Sequence, residues 1–455
     1  MIRSAHKNAI SRLLSLILSV VILLSTLTSC GIFSYVADSK AEIQTNLDTA
    51  EDQSYEYVWE YLRDWGMPLF DRIKFQYLEE IFIQLYNYEG GMPDTFTHAK
   101  DTAKLFLDEE YDDIKTDDKT AVTDALLVCY VTALDDPYSA YRPPMETDSF
   151  MTDMSGKFGG IGVMVEYDDA NQRIIINTVY PDSPAEKAGI KVGDIIHAVD
   201  GVTVTELGYT NAVNYVRGEI GTDVELTMLR GEEYITLTAT RAEVEELNVV
   251  YEVIELTDLG YVQIVSFKEN TFDQFKAAID DLESKNVKGI IFDLRNNLGG
   301  YVDSVMSIIS YLIPDGQPVI SYQYKGFDKT ELVSEDEGED HVVDLPFVVI
   351  CNELTASAGE IFTAAMRDYR EWGLLDATIV GTTTFKKGIM QNTYYYPLDK
   401  STVTMTVAYY DPPCGVNYHG IGITPDVYVE IDENDTADVQ YLTAIEELVK
   451  LINDN

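Results

Sequence analysis

Only five of the 455 residues are histidine, and His6, His98, His197, His341 and His419 are scattered with no H-E-x-x-H among them. A zinc site therefore has no ligand set in this sequence, and no metal or other cofactor is expected. Cysteine is nearly as sparse. There are four; the three beyond Cys30 are too few for a disulfide framework in so large a chain and cannot all pair, and none has C-x-x-C spacing. Cys129, Cys351 and Cys414 read as small buried hydrophobes. Basic residues are few, 32 against 78 acidic ones, giving a net charge of −46. A surface so acidic repels phosphate backbones, so nucleic acid is excluded as a partner. The apolar run Leu13 to Leu27 falls short of the ~20 residues of a membrane-spanning helix. Internal repeats and low-complexity tracts are missing, and the acidic run Glu335 to Asp340 lacks EF-hand spacing and reads as an exposed loop.

What is present is core material: 46% hydrophobic residues, with 16 Phe and 31 Tyr. At 455 residues the chain is too long for one core, so two or three domains are expected. Arg3, Lys7 and Arg12 precede the Leu13–Leu27 run, and no acidic residue appears before Asp38. That is the layout of a secretory leader. The run ends in Leu27-Thr28-Ser29-Cys30, which resembles the cleavage box of bacterial lipoproteins, where the Cys30 thiol takes the lipid. Residues 1–29 are thus expected to be a leader and 30–54 a tether, with the protein held by lipid at the outer face of a bacterial membrane. Residues 55–149 carry helical spacing, from Tyr57 through Ile81 and again over Thr120 to Leu134.

Over 150–242 the pattern changes to short strands. Gly159-Gly160-Ile161-Gly162 leads into Val163 to Glu166, Arg173 to Val179 follows, and then come Ser183-Pro184-Ala185-Glu186-Lys187-Ala188-Gly189 and Val192-Gly193-Asp194. A helical stretch near Thr210 to Val216 and a closing strand at Val224 to Leu229 complete the unit. This order resembles a PDZ domain, which adds a peptide tail as an extra strand while loop amides hold its terminal carboxylate. Gly159, Gly160, Ile161 and Gly162 would form that loop.

From 243 to 455 strands alternate with helices, as in an α/β core. The expected fold is therefore multidomain α/β: an N-terminal helical segment, a β-rich PDZ domain with helices, and an α/β core. The buried strand Phe347 to Asn352 runs into Glu353-Leu354-Thr355-Ala356-Ser357, and a helix follows from Ala358. This exposes Ser357 Oγ beside helix N-terminal amides, which favour developing negative charge. Alone, such a serine is more often a plain helix cap.

Two further segments change that balance: Asp293-Leu294-Arg295-Asn296-Asn297-Leu298-Gly299-Gly300, and Thr384-Phe385-Lys386-Lys387-Gly388-Ile389-Met390-Gln391. Together the three resemble the marks of the carboxy-terminal processing, or tail-specific, proteases: D-L-R-N-N-P-G-G, N-x-x-S-A-S-A-S-E and T-F-G-K-G-x-x-Q. The resemblance covers nearly all the chain after Phe150. It implies a serine endopeptidase with Ser357 as nucleophile, Lys387 as general base and Gln391 orienting the lysine. The oxyanion hole would combine the Ala358 amide with one from Gly299 or Gly300. A lysine has an ordinary pKa of about 10.4 and serves as a base only where burial disfavours its ammonium form. The resemblance also implies protein or peptide substrates with exposed C-termini and self-association through the N-terminal helices, with stoichiometry left open.

The sequence departs from the pattern in three places. Leu298 replaces the loop proline, Thr355 and Gly359 replace serines flanking Ser357, and Lys386 stands where glycine is usual. Register favours Lys387 over Lys386 as the base, since Gly388 and Gln391 then fall in place. The spacing from Ser357 to Lys387 is slightly long, with the surplus near Trp372 to Asp376. The competing readings are a catalytically silent PDZ lipoprotein that only docks C-termini, which needs a broken dyad, and a chymotrypsin-like protease, which needs a histidine and a GNSGG-type segment ahead of the PDZ unit. The sequence shows no broken dyad and no GNSGG-type segment ahead of the PDZ unit.

Overall fold

Every residue of the strands Ile290–Asp293 and Phe347–Cys351 is buried. Such strands are covered on both faces, as in a parallel sheet crossed by helices. A computed structural model of the chain, describing residues 62, 67, 69–88, 98–103, 119–335, 343–431 and 437–454, shows this sheet directly. The leader, Cys30, the tether and most of the acidic run lie outside the described residues, as do His6 and His341. The described residues form two compact units, one from those up to Thr147 with Tyr324–Gly326 and Met390–Ala408, the other from Asp148–Gln323, Phe327–Ile389 and those from Tyr409 on.

In the second unit six strands pair in the order Val249–Val253, Gly260–Ile264, Ile290–Asp293, Phe347–Cys351, Ala377–Gly381 and Val427–Tyr428. The first two are antiparallel and the rest parallel. Parallel neighbours need crossovers, supplied by the helices Thr271–Ser284, Val302–Leu312 and Ala358–Glu371. Alternation along the strands divides the core. Phe292 meets the rings of Phe275, Phe347 and Phe362 on one side. On the other, Ile291, Val348, Ile350 and Val380 pack with Ala444 and Leu448 of the helix Val439–Asp454. Each such buried side chain contributes roughly 1.5–3 kcal/mol.

The same unit holds the PDZ domain, an antiparallel sheet in the order Val163–Asp168, Arg173–Val179, Ile195–Val199, Asp223–Arg230 and Glu233–Thr240. Val224 to Leu229 does not close it. Gly231, at φ 64°, turns the chain back, and Glu233–Thr240 adds a further, mostly exposed strand. The Ser183-Pro184 segment is a capped turn of helix: Ser183 Oγ accepts from the Glu186 amide at 3.1 Å, Pro184 starts the helix, and Gly189 ends it at φ 84°. Buried Asp194 accepts from the Lys191 amide at 2.8 Å and twice from Arg230 at 2.7 Å. Burial acts to raise its pKa, but these donors outweigh burial and hold the carboxyl below its ordinary value.

In the first unit the helices Leu69–Leu85 and Lys119–Thr132 accompany the strand Ala140–Arg142, which pairs antiparallel with Thr402–Thr404. Residues 390–408 thus join the N-terminal helices, where the sequence reading kept 243–455 as one block. The helix Pro144–Ser155 likewise crosses the boundary expected at 149/150. Lys74, with no exposed surface, lies between Asp124 and Asp399 at 2.7 Å from each. Of the three cysteines read as buried, Cys351 is buried, Cys129 is half-buried and Cys414 is exposed, because it sits in the surface turn after Pro413.

Candidate active site

The strand Phe347–Cys351 delivers the chain to a turn, Asn352 to Ala356, and the helix Ala358–Glu371 begins directly after Ser357. Ser357 takes φ 54° and ψ −116°, a backbone that L-residues rarely adopt. Sharp strand–turn–helix junctions of this kind present a nucleophile at the end of a sheet. Ser357 is half-buried.

The Asp293–Gly300 loop is fastened to that turn. Asp293 is buried and held by the Arg295 guanidinium, with Nη2 at 2.5 Å, and by the Tyr261 hydroxyl at 2.9 Å. Asn296 and Asn352 exchange hydrogen bonds at 2.9 Å in both directions. The Asn297 carbonyl accepts from the Ala356 amide at 2.8 Å, while its side chain donates to the Ile264 carbonyl at 2.7 Å. These bonds explain why the motif carries two asparagines. Gly299 then passes so close to the serine that a Cβ there would lie 2.7 Å from Ser357 Cβ and 2.8 Å from the Ala356 carbonyl. At Gly300 a Cβ would lie 2.1 Å from the Phe267 carbonyl. The Gly299 amide is already donated to Asn297 Oδ1 at 2.8 Å.

Lys387 comes from the segment after Ala377–Gly381 and is half-buried. Its amide donates to Glu360 Oε2 at 2.7 Å, and the Ser357 amide reaches the same oxygen at 3.1 Å. Glu360 Oε1 accepts from Thr384 Oγ1 at 2.6 Å and from the Lys386 amide at 2.7 Å. Four donors face this fully buried carboxylate. Burial pushes its pKa up, and the four hydrogen bonds pull against that rise. Glu360 has no role in the sequence analysis. Its position three residues into a helix was the usable signal, since a carboxylate there can reach back to the cap amide. Tyr410 was missed as well. It is buried, and its hydroxyl donates to the Lys387 carbonyl at 2.8 Å. Burial pushes its pKa up, and the Tyr418 and Ser357 hydroxyls exert smaller downward pulls.

Gln391 lies on the strand Ile389–Tyr395 in the other unit, half-buried, and donates to Thr406 Oγ1 at 3.2 Å. Lys386 is exposed, at φ 85°. In the PDZ domain Gly159 and Gly160 pair with Glu243 and Ala242, Ile161 enters the core, and Gly162 turns at φ 77°.

The model of peptidase family S41 matches residues 258–429, and that of the PDZ domain matches 175–230. The carboxy-terminal processing protease CtpA of Bacillus subtilis is 36% identical over 344 residues, 74% of this chain and 71% of the relative. The chain belongs to peptidase family S41. It also matches the "Probable CtpA-like serine protease" of Staphylococcus haemolyticus, at 35% identity over 68% of this chain, and there it spans only 60% of the relative's length. A solved S41 protease candidate from Bacteroides fragilis shares the fold, with a TM-score of 0.52 and 16% identity over 82% of this chain and 97% of its own. The S41 match spans the Asp293, Ser357 and Lys387 segments alike.

Proposed function

We propose that this S41 chain is a serine endopeptidase acting on extracytoplasmic proteins, with Ser357 as nucleophile and Lys387 as general base. The observation that carries this reading is the convergence of the Ser357 and Lys387 amides on one Glu360 oxygen, which fixes two residues thirty positions apart in one site. The neutral Lys387 amine takes the Ser357 proton as Oγ attacks a peptide carbonyl. The ammonium then protonates the departing amine, and water repeats the cycle on the acyl-serine. The family resemblance gives Gln391 the role of orienting the lysine, while its side-chain amide here donates to Thr406 Oγ1. The Ala358 amide and a glycine amide of the 299–300 pair stabilise the oxyanion, a contribution of ~10²–10³ in turnover per donor. Because the Gly299 amide is committed to Asn297, Gly300 is the better partner.

The leader at 1–29, the tether at 30–54 and a lipid on Cys30 would hold the enzyme at the outer membrane face, with the PDZ domain at 150–242 taking C-terminal tails to the core at 243–455. Self-association belongs to the helices of 55–149. The deciding test is degradation of a loosely folded protein by the full chain: the native sequence should cut it, while Ser357→Ala and Lys387→Ala should each leave only background. Undiminished cutting by Ser357→Ala removes the assignment.

A further inference from the structure

The edge strand of the PDZ sheet, Val163–Asp168, pairs with Arg173–Val179 on one side only. On the proposed reading, a tail lies along its outer edge, carboxylate toward Gly162, and so runs antiparallel to it. Val163, Val165 and Tyr167 share one face of this strand and are half-buried at the margin of the domain core. The helix Val204–Val216 packs on the neighbouring strands Arg173–Val179 and Ile195–Val199 and brings its own half-buried Val213 to the same core. Between strand and helix a contact spans the lane: the rings of Tyr167 and Tyr209 stand 4.8 Å apart, tilted by 35°. At that separation the two rings are in contact and close the lane between strand and helix. Tyr209 is 39% exposed, so the core does not pin it. Immediately before it, Gly208 breaks the helix at φ 73° and ψ 166°, a hinge only glycine takes readily.

We propose that Tyr167 and Tyr209 form an aromatic gate across the tail lane, which selects protein C-termini carrying an aromatic side chain about four residues upstream of the terminal carboxylate. The offset follows from Gly162 to Tyr167 counted along an antiparallel partner. A tail passing this level must part the rings. An aromatic side chain restores by stacking what the opened pair loses, and a small one does not. The inference rests on the tail-binding reading above and adds the preference to it.

The test uses the full chain carrying Ser357→Ala and fluorescein-labelled eight-residue peptides, with Phe or Ala four residues before the end, each as free acid and as C-terminal amide. Anisotropy should give free acids tighter than amides, and Phe tighter than Ala by about three- to tenfold. Tyr209→Ala should bring the Phe/Ala ratio near one, while Tyr209→Phe should keep it. A ratio that survives Tyr209→Ala, or a preference that appears only at another position, overturns the gate but leaves tail binding standing. Binding indifferent to the amide cap sinks tail binding, and the gate with it.

Discussion

The backbone amides of Ser357 and Lys387 donate to a single atom, Oε2 of Glu360, at 3.1 and 2.7 Å. Helix start and base loop are therefore registered through a buried carboxylate rather than through their own side chains. Glu360→Gln keeps the volume but offers an NH2 group to donors that need acceptors. Two amides left unsatisfied should lower stability by about 2–3 kcal/mol. Misplacement of the serine against the lysine should lower kcat/KM by ~10²-fold or more. Peptide turnover and denaturant unfolding on one sample separate the two effects. Turnover within threefold of wild type would show that Glu360 does not register the site.

The departures near the serine compensate one another. Thr355 is buried, its hydroxyl donating to the Leu294 carbonyl at 2.8 Å, and a Cβ on Gly359 would lie 3.1 Å from the Thr355 methyl. The family's serine at 359 fits poorly beside threonine at 355. Gly359→Ser alone should destabilise by about 1–2 kcal/mol, and adding Thr355→Ser should recover roughly 1 kcal/mol of it. A double-mutant cycle measured by urea unfolding reads this coupling. Strict additivity would refute it.

These residues also show what a sequence can display. The strands and helices of the core were legible because burial on both faces leaves unbroken apolar runs, as in Phe347–Cys351. Ser357 and the Asp293–Gly300 loop were legible because close approach demands small residues in fixed order. The strand Glu233–Thr240 was not, since it is mostly exposed and its pairing depends on a Gly231 turn. Nor was the grouping of residues 390–408 with the N-terminal helices, which rests on pairing of Thr402–Thr404 with Ala140–Arg142, more than 250 positions away. Leu298, in place of proline, is 68% exposed, so its side chain adds little to the packing of the loop.

In the PDZ domain Asp194 ties the turn at Lys191 to the strand end at Arg230. Its folded pKa lies below the unfolded value of about 3.9, so the pair stabilises fully above that pH. The contribution is lost as pH falls below it toward the folded value. Asp194→Asn should cost about 1–3 kcal/mol at pH 7, less than the roughly 3–5 kcal/mol of a fully buried pair because Arg230 is partly exposed. As pH falls below about 4 the stabilities of the two proteins should converge. A gap that stays constant through that fall would show that the charge of Asp194 contributes nothing.

Two adjacent lysines compete for the base role, and backbone geometry separates them. Lys386 holds φ 85°, where glycine fits and a side chain costs on the order of 1 kcal/mol, which accounts for the glycine usual at this place. Its ammonium is exposed and makes no ion pair among the described residues. Lys387 is half-buried, fixed by Glu360 at its amide and by Tyr410 at its carbonyl. Lys386→Gly should relieve the strain and raise the unfolding midpoint by about 1–4 °C, with kcat within threefold of the native enzyme. Lys387→Ala should reduce turnover to background, and Lys387→Arg should not rescue it, because a guanidinium does not give up its proton. The pH profile of kcat/KM completes the test: its basic limb should persist in Lys386→Gly. Loss of that limb on removing Lys386 would transfer the base role to the strained residue.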